Sequence, residues 1–457
     1  MAIRSILVAG LLVGAVVAAE PEAEQAPHWA YQPLNTSVPA GLPDPGRTRN
    51  PIDHFVARRL ESLRIAPAPV ADRSTLIRRV TLDLTGLLPE PADVARFLAD
   101  RRPGAWERVV DRLLASPHYG EHFAREWMDL THYADSDGYL TDQLRPVAWR
   151  FRQWLVGQLN ADTPFDLLTL RQLAGDLLPK ATLEDRLGTG FLRQTLSNRE
   201  GGADPEEFRV KQIVDRTETV AAVWLGLTIG CARCHDHKYD KLSQREFFGL
   251  YAFLNTADEV NLYAPLPGQS EPYESALATY NKKRDELLKP LGDKLAVLQA
   301  RWEARLLEAA ARPGRDFRWD RRWEVLGLVW GGQLGEGQLE GWEIVKRDVH
   351  LRTRDEKDRL LLYFLGHGEL IDPAQFKALK LGELKNKLVA LRSKVPWPTR
   401  APTMREARIP RQAFVQVRGD FRVRGEAVDA TPPAVLPPLM ASGTRDRLSL
   451  ARWLVSG

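Results

Sequence analysis

The 457-residue chain predicts a mainly α protein. Its parts are a multi-helix domain carrying a C-x-x-C-H motif, a long helical hairpin or coiled-coil arm, and a small mixed α/β segment. Three observations lead there. Between residues 51 and 260, apolar residues recur at helical spacing behind Asn, Asp and Ser caps and Pro starts. Residues 271–312 are rich in Lys, Glu, Leu, Ala and Arg in an amphipathic pattern. Strand-favouring runs are confined to short stretches after residue 313.

Arg4 precedes the apolar run Ile6–Ala19, which is short for a bilayer span and ends in the small residues Val17-Ala18-Ala19. That is the pattern of a secretory signal peptide over 1–19, with an uncleaved N-terminal anchor as the alternative. The expected location is secreted or periplasmic. No second stretch is long enough to cross a membrane. Lys+Arg 64 against Asp+Glu 60 leaves a net charge of +4, and no basic run appears, so nucleic acid is not an expected partner.

Residues 20–50 read as an extended, Pro-rich lead-in. Asn50-Pro51 opens a helix carrying Phe55, Val56, Leu60 and Leu63. Asp72 caps a second, which Gly86 stops. Pro91–Ala99, Trp106–Leu114, Glu121–Tyr133, Arg145–Leu159 and Phe165–Leu173 follow as short helices. Asp204-Pro205-Glu206-Glu207 is a helix start with cap, N1 proline and acids at the positive dipole end. That helix runs past Trp224 and loosens at Gly226. Another begins near Ser243, and the helical domain spans 51–260. The 271–312 arm follows, then a mixed insert over 313–430, with strands expected in Phe317–Val349. Phe414–Val417 and Phe421–Val423 flank Arg418-Gly419-Asp420 as a hairpin, in which R-G-D is turn chemistry rather than an adhesion signal. Residues 431–457 read as a linker and the truncated start of a further domain.

The sequence C-A-R-C-H-D-H-K-Y-D, Cys231 to Asp240, holds the only two cysteines. Three apart, they cannot staple distant parts of an exported fold. Two thiols at this spacing reach both vinyl groups of a porphyrin, and the next histidine meets the iron; C-x-x-C-H therefore reads as covalent haem c attachment by Cys231, Cys234 and His235. Zinc on Cys231, Cys234, His235 and His237 is a crowded alternative. A redox dithiol lacks the expected strand–turn–helix context. For the opposite face of the iron, His118 is the first candidate, followed by His122, His132 and Met128; an empty position is the other option. A second set, His235, Asp236, His237, Asp240, Asp135 and Glu200, suits a calcium or zinc ion instead. The aromatic stretch Tyr119–Trp154 reads first as core.

Several stretches resemble one family: R-R-V-T-L-D-L-T-G-L-L-P, A-S-P-H-Y-G-E-H-F-A-R-E-W-M-D-L, Y-A-D-S-D-G-Y, Q-L-A-G-D-L-L-P, E-G-G-A-D-P-E-E-F-R and D-R-T-E-T-V-A-A-V-W-L-G-L-T-I-G-C-A-R-C-H-D-H-K-Y-D. Over about residues 50–258 they resemble planctomycete-type secreted cytochrome-like proteins, in their second cytochrome-like domain, a domain of unknown function. Q-V-R-G-D-F, P-A-V-L-P-P-L and L-A-R-W-L-V-S resemble the lead-in to the planctomycete-specific domain that follows it. The resemblance implies a secreted protein with haem on Cys231, Cys234 and His235. It also picks out His118, Asp135, Glu200, Asp204, Glu206, His237 and Asp240. His122 and His132 depart from it, since Arg is more usual near both. The earlier cytochrome c domain of many relatives, with its own C-x-x-C-H, is not in this chain.

Three functions follow as expectations. The first is an exported c-type haem protein in electron transfer or a redox step tied to polysaccharide breakdown, with a redox partner protein and a polysaccharide as partners. The second is a metal-dependent hydrolase or carbohydrate-binding protein without haem, using His118, Asp135, Glu200, His237 and Asp240 around a cation. The third is an extracytoplasmic scaffold whose 271–312 helices dock a partner. The motifs do not decide whether the protein is an enzyme.

Overall fold

The computed structural model describes residues 29–32, 34–35, 37–38, 50–138, 144–196, 204–334, 340–407, 410–439 and 443–456. The expected signal segment 1–19, most of the lead-in, and Glu200 lie outside the described residues. The chain divides at Val70. The first unit carries a 3-10 turn, Trp29–Tyr31, and helix α1, Pro51–Ser62, which opens with a reciprocal Asn50–Asp53 capping box and Pro51 in its first turn.

The second unit is mainly α, as the sequence predicts. Its first helices are α2 (Arg73–Thr85), α3 (Pro91–Ala99), α4 (Ala105–Leu114), α5 (Pro117–Leu130), α6 (Trp149–Asn160), α7 (Phe165–Ala174), α8 (Leu183–Gly188), α9 (Pro205–Val220) and α10 (Gln244–Leu254). The caps set many of these ends. Asp72 and Gly86 bracket α2, with Gly86 left-handed at φ 70°. Asp204 caps α9 ahead of Pro205. Ser243 and Glu246 form a capping box on α10. Helix α6 starts later than expected because the Arg145 N–H donates to the Asp135 carbonyl at 2.8 Å, beside the Ser136–Leu144 bridge, and Pro146 disfavours a helical Arg145.

Strand β1, Ala257–Tyr263, follows α10 and pairs antiparallel with β2, Arg400–Glu406, from Ala257↔Glu406 to Tyr263↔Arg400. Between them lie α11 (Ser270–Leu288), α12 (Gly292–Ala311), α13 (Phe317–Leu334), α14 (Glu340–Lys346), α15 (Arg354–His367), α16 (Pro373–Ala378) and α17 (Leu381–Arg392). The chain closes with β3 (Ala413–Gln416), β4 (Arg424–Val428) and α18 (Arg447–Leu454).

Two apolar cores divide this unit. The main one joins α5–α10 to the C-terminal segments: Phe151, Leu155, Leu173, Leu192, Ile213, Phe247 and Phe253 pack with Ala401, Met404, Ala413, Val428, Leu448 and Leu450. The second lies inside the β1–β2 insertion, around Leu298, Trp302, Leu306, Leu326, Leu360, Phe364 and Leu388. A smaller cluster of Ile77, Phe97, Val109 and Leu113 ties α2, α3 and α4 together.

These facts correct three expectations. Residues 317–334 and 340–346 form α13 and α14, not strands. Trp319, Trp323 and Leu326 repeat at helical spacing and turn toward the insertion core, and burial overrides their strand propensity. The 271–312 stretch is not a free-standing arm. A 3-10 turn through Pro290 breaks it, α11 packs on α17, and α12 packs on α13, α14 and α15. Residues 447–454 form α18, which buries Leu448, Leu450 and Ala451 in the main core. The hairpin forms, but its second arm is Arg424–Val428 rather than Phe421–Val423.

Candidate functional site: the C-x-x-C-H turn

Helix α9 runs into a π turn, Ala221–Leu225, and stops at Gly226, which is left-handed at φ 65°. The chain re-enters the core at Ile229 and makes a 3-10 turn over Gly230–Arg233, with Cys234 as its C-cap. A 3-10 turn has about three residues per revolution, so side chains at i and i+3 eclipse. Ala232 is fully buried, while Cys231 and Cys234 are exposed free thiols on the outside of the turn. The two sulfurs therefore share the outer face, and the small residue between them faces the core.

The two histidines take opposite tautomers. His235 Nδ1 lies 2.7 Å from the Asp236 carbonyl. A carbonyl only accepts, so Nδ1 carries the proton and the Nε2 lone pair of the neutral ring is free. His237 Nδ1 accepts the Asp240 N–H at 2.9 Å, so its proton sits on Nε2. The Asp240 carboxylate, 3.2 Å from the same Nδ1, is then beside a lone pair and adds no hydrogen bond in the neutral ring. Asp236 is spent on structure: its Oδ1 accepts the Gln244 N–H at 2.8 Å at the start of α10. Tyr239, 82% exposed, stands at the outside of this loop beside Lys238.

A charged layer backs the turn. The Glu218 carboxylate lies against Gly230, where an added Cβ would come within 3.1 Å of Oε1. Burial, then the nearby Asp215, push the Glu218 pKa up, against the pull of Arg233 and His132. Burial likewise raises Asp215, opposed by His132 and Arg216; His132 Nδ1 is 3.5 Å from Asp215 Oδ1. His132 holds a left-handed backbone at φ 60° just after α5. Deeper, Glu259 receives Arg216 and Arg193; burial alone would raise its pKa, and the two guanidiniums overcome it and lower it.

Glu218 gives a pH-dependent expectation. Its folded pKa is raised, so its contribution to stability is fully present below the ordinary carboxylate pKa and is lost as pH rises through the folded value. Glu218→Gln, which mimics the protonated form, should raise Tm by about 2 °C at pH 8 and leave it unchanged at pH 4. Equal shifts at both pH values in a thermal melt would show that burial of this charge is not what the substitution relieves.

Residues 51–259 match the PSCyt2 family model, a protein of unknown function (DUF1549). No curated protein and no solved structure matches the chain. The PSCyt2 segment thus ends inside β1, and the C-x-x-C-H turn lies wholly within it.

Within that segment the sequence-predicted residues have separate partners. His118 is exposed on α5 and pairs with Glu121 at 2.8 Å. His122 packs against Gly86. Of the histidines considered for the far side of the iron, His132 is the one whose contacts lead, through Asp215 and Glu218, to the back of the C-x-x-C-H turn. Asp135 accepts from Tyr133 Oη at 2.6 Å and faces Arg152. Asp137, wholly buried, is held by Arg145 at 2.8 Å. Asp204 caps α9, and Glu206 chelates Arg209 with two contacts of 2.7 and 2.8 Å. Among the described residues, no group of three or more His, Cys, Asp or Glu is placed to hold a metal ion. Sequence reasoning missed Asp215, Glu218, Arg216, Arg193 and Glu259. Its one usable signal was two acids three apart inside an otherwise core-forming helix.

Proposed function

We propose that this is an exported c-type haem protein that transfers electrons or supports a redox step in polysaccharide breakdown. Cys231 and Cys234 would anchor the porphyrin, and His235 would hold the iron from Nε2. When bound, the haem supplies one-electron chemistry. The rest is work for the chain's own residues. The Asp236 carbonyl fixes the His235 tautomer, as the second contact of an iron-bound histidine commonly does. Ile229 and Ala232 pin the turn to the core, so the cysteines stay on one outward face. Export is supported by the Ile6–Ala19 run. The observation that carries the reading is the shared outward face of two free thiols followed by a histidine with its Nε2 free.

The test is expression with the native leader in a host that matures c-type cytochromes. A denaturing gel stained for haem peroxidase activity and a pyridine haemochrome spectrum give the readout. Covalent haem is expected in the parent chain and absent from the Cys231→Ala/Cys234→Ala variant. A folded but colourless parent protein would overturn the reading.

A further inference from the structure

The C-terminal hairpin closes on the C-x-x-C-H turn from outside the PSCyt2 segment. Its strands β3 and β4 are joined through a 3-10 turn, Val417–Gly419, in which Arg418 and Gly419 are both left-handed, at φ 55° and 76°. This is the Arg-Gly-Asp stretch. Three contacts tie it to the cysteine turn. Arg233 Nη2 donates to the Gly419 carbonyl at 3.1 Å. Gln244 Nε2 donates to the Arg233 carbonyl at 2.8 Å and the Gln416 carbonyl at 3.1 Å, bridging the two turns. The Gly419 backbone lies against the Cys234 sulfur: a Cβ added there would come within 2.7 Å of Sγ, and 3.4 Å of Arg233 Nε. Gly419 itself is buried. Only a residue without a Cβ satisfies both the left-handed backbone and the approach of the sulfur.

We infer that Gly419 and Arg233 are positioning residues for Cys234: the Val417–Gly419 turn clasps that thiol and makes it inequivalent to Cys231. A flat ring joined to two thiols needs both sulfurs at a set spacing, and the clasp fixes one of them. The consequence for haem attachment rests on the function proposed above. The inequivalence of the thiols does not, and it can be read on the haem-free chain.

The full-length chain, made without haem in a reducing cytoplasm, is treated with iodoacetamide, and modification at each cysteine is followed by peptide mass spectrometry. Access as well as thiolate character governs this rate, so Cys234 should react roughly threefold or more slowly than Cys231. Arg233→Ala removes the tether without adding bulk. It should raise the Cys234 rate by a similar factor while Cys231 stays within about twofold as the internal reference. Arg233→Lys, which keeps one donor, should restore part of the protection. Gly419→Ala should change the Cys234 rate selectively in the same assay, with unchanged circular dichroism excluding global unfolding. Equal native rates, or an Arg233→Ala effect shared equally by both cysteines, would overturn the clasp. In the haem-maturing host, Gly419→Ala is expected to lower covalent haem yield at Cys234. If the thiols are inequivalent but the parent takes no haem, the clasp stands and the haem reading falls. If haem attaches and neither variant alters thiol rates, the reverse holds.

Discussion

Arg447→Ala is expected to cost about 3–5 kcal/mol of stability, the scale for removing one partner of a buried ion pair. Arg447 is completely buried at the start of α18. Every guanidinium donor position is used: Nη1 and Nη2 grip Asp176 at 2.9 and 2.8 Å, Nε and Nη2 reach Glu406 at 3.0 and 2.9 Å, and Nη1 also meets the Leu173 carbonyl at 3.0 Å. One side chain thereby joins the end of α7, strand β2 and α18. Truncation leaves two carboxylates in the interior without their cation, and Glu406, whose pKa burial already raises against the pull of Arg447, would be raised further. Such groups are least costly when protonated, so the penalty should be largest at pH 8 and shrink toward pH 4. Urea melts at the two pH values check both size and sign. Arg447→Met should be nearly as damaging, because it refills volume but not charge. Arg447→Met with Asp176→Asn and Glu406→Gln should recover most of the loss. A single Arg447→Ala variant within 1 kcal/mol of the parent would mean the triad contributes little net stability.

That triad also shows what kind of information one sequence carries. Helix ends whose chemistry is local were legible: Asp72 with Gly86, Asp204 with Pro205, and Ser243 with Glu246 each fix a boundary through side chains within a turn of it. The C-x-x-C-H spacing was legible for the same reason, whereas the burial of Ala232 between two exposed cysteines emerged only from the fold. Contacts across long separations were not. Strands are expected only after residue 313, yet A-D-E-V-N-L-Y becomes β1 because Arg400–Glu406 arrives beside it. Arg418-Gly419-Asp420 reads as a turn, and nothing local says that the turn rests on Cys234. The tryptophans of residues 317–342 misled in the other direction. Their intrinsic strand preference is weak beside the burial that helix α13 gives Trp319. The layer behind the turn was hidden by composition, because an aspartate and a glutamate on a helix usually mark its solvent face and here lie against Gly230 and His132.

Removing the whole insertion should leave the C-x-x-C-H domain folded, whereas cutting the chain at the end of β1, before its last residue, should destroy it. Strands β1 and β2 end in register, and the Ala264 N–H donates to the Thr399 carbonyl at 2.7 Å. Replacing residues 265–398 with Asn-Gly therefore joins Ala264 to Thr399 through a two-residue hairpin turn whose twist suits antiparallel strands. The excised helices take their own core of Trp302, Phe364 and their neighbours with them. What the remainder loses is the rim where Tyr263 stacks on Trp397 and contacts Tyr273 and where Asp355 meets Tyr263 and Arg400, roughly 1–2 kcal/mol in all. A cooperative melt within a few degrees of the parent is expected, with the thiol reactivity pattern intact. The chain ending at residue 262 keeps the PSCyt2 match but lacks β2, the hairpin and α18. It strips Met404, Leu448 and Leu450 from the main core, each worth roughly 1.5–3 kcal/mol when buried, and removes Arg447 besides. That total is comparable with the roughly 5–15 kcal/mol by which a domain is stable at all, so this fragment should show no cooperative transition. The paired result would assign the functional domain to two stretches of chain, one on each side of the insertion, with the family match covering only the first. A cooperatively folded 1–262 fragment would instead confine the domain to the matched segment and make the C-terminal hairpin an accessory to it.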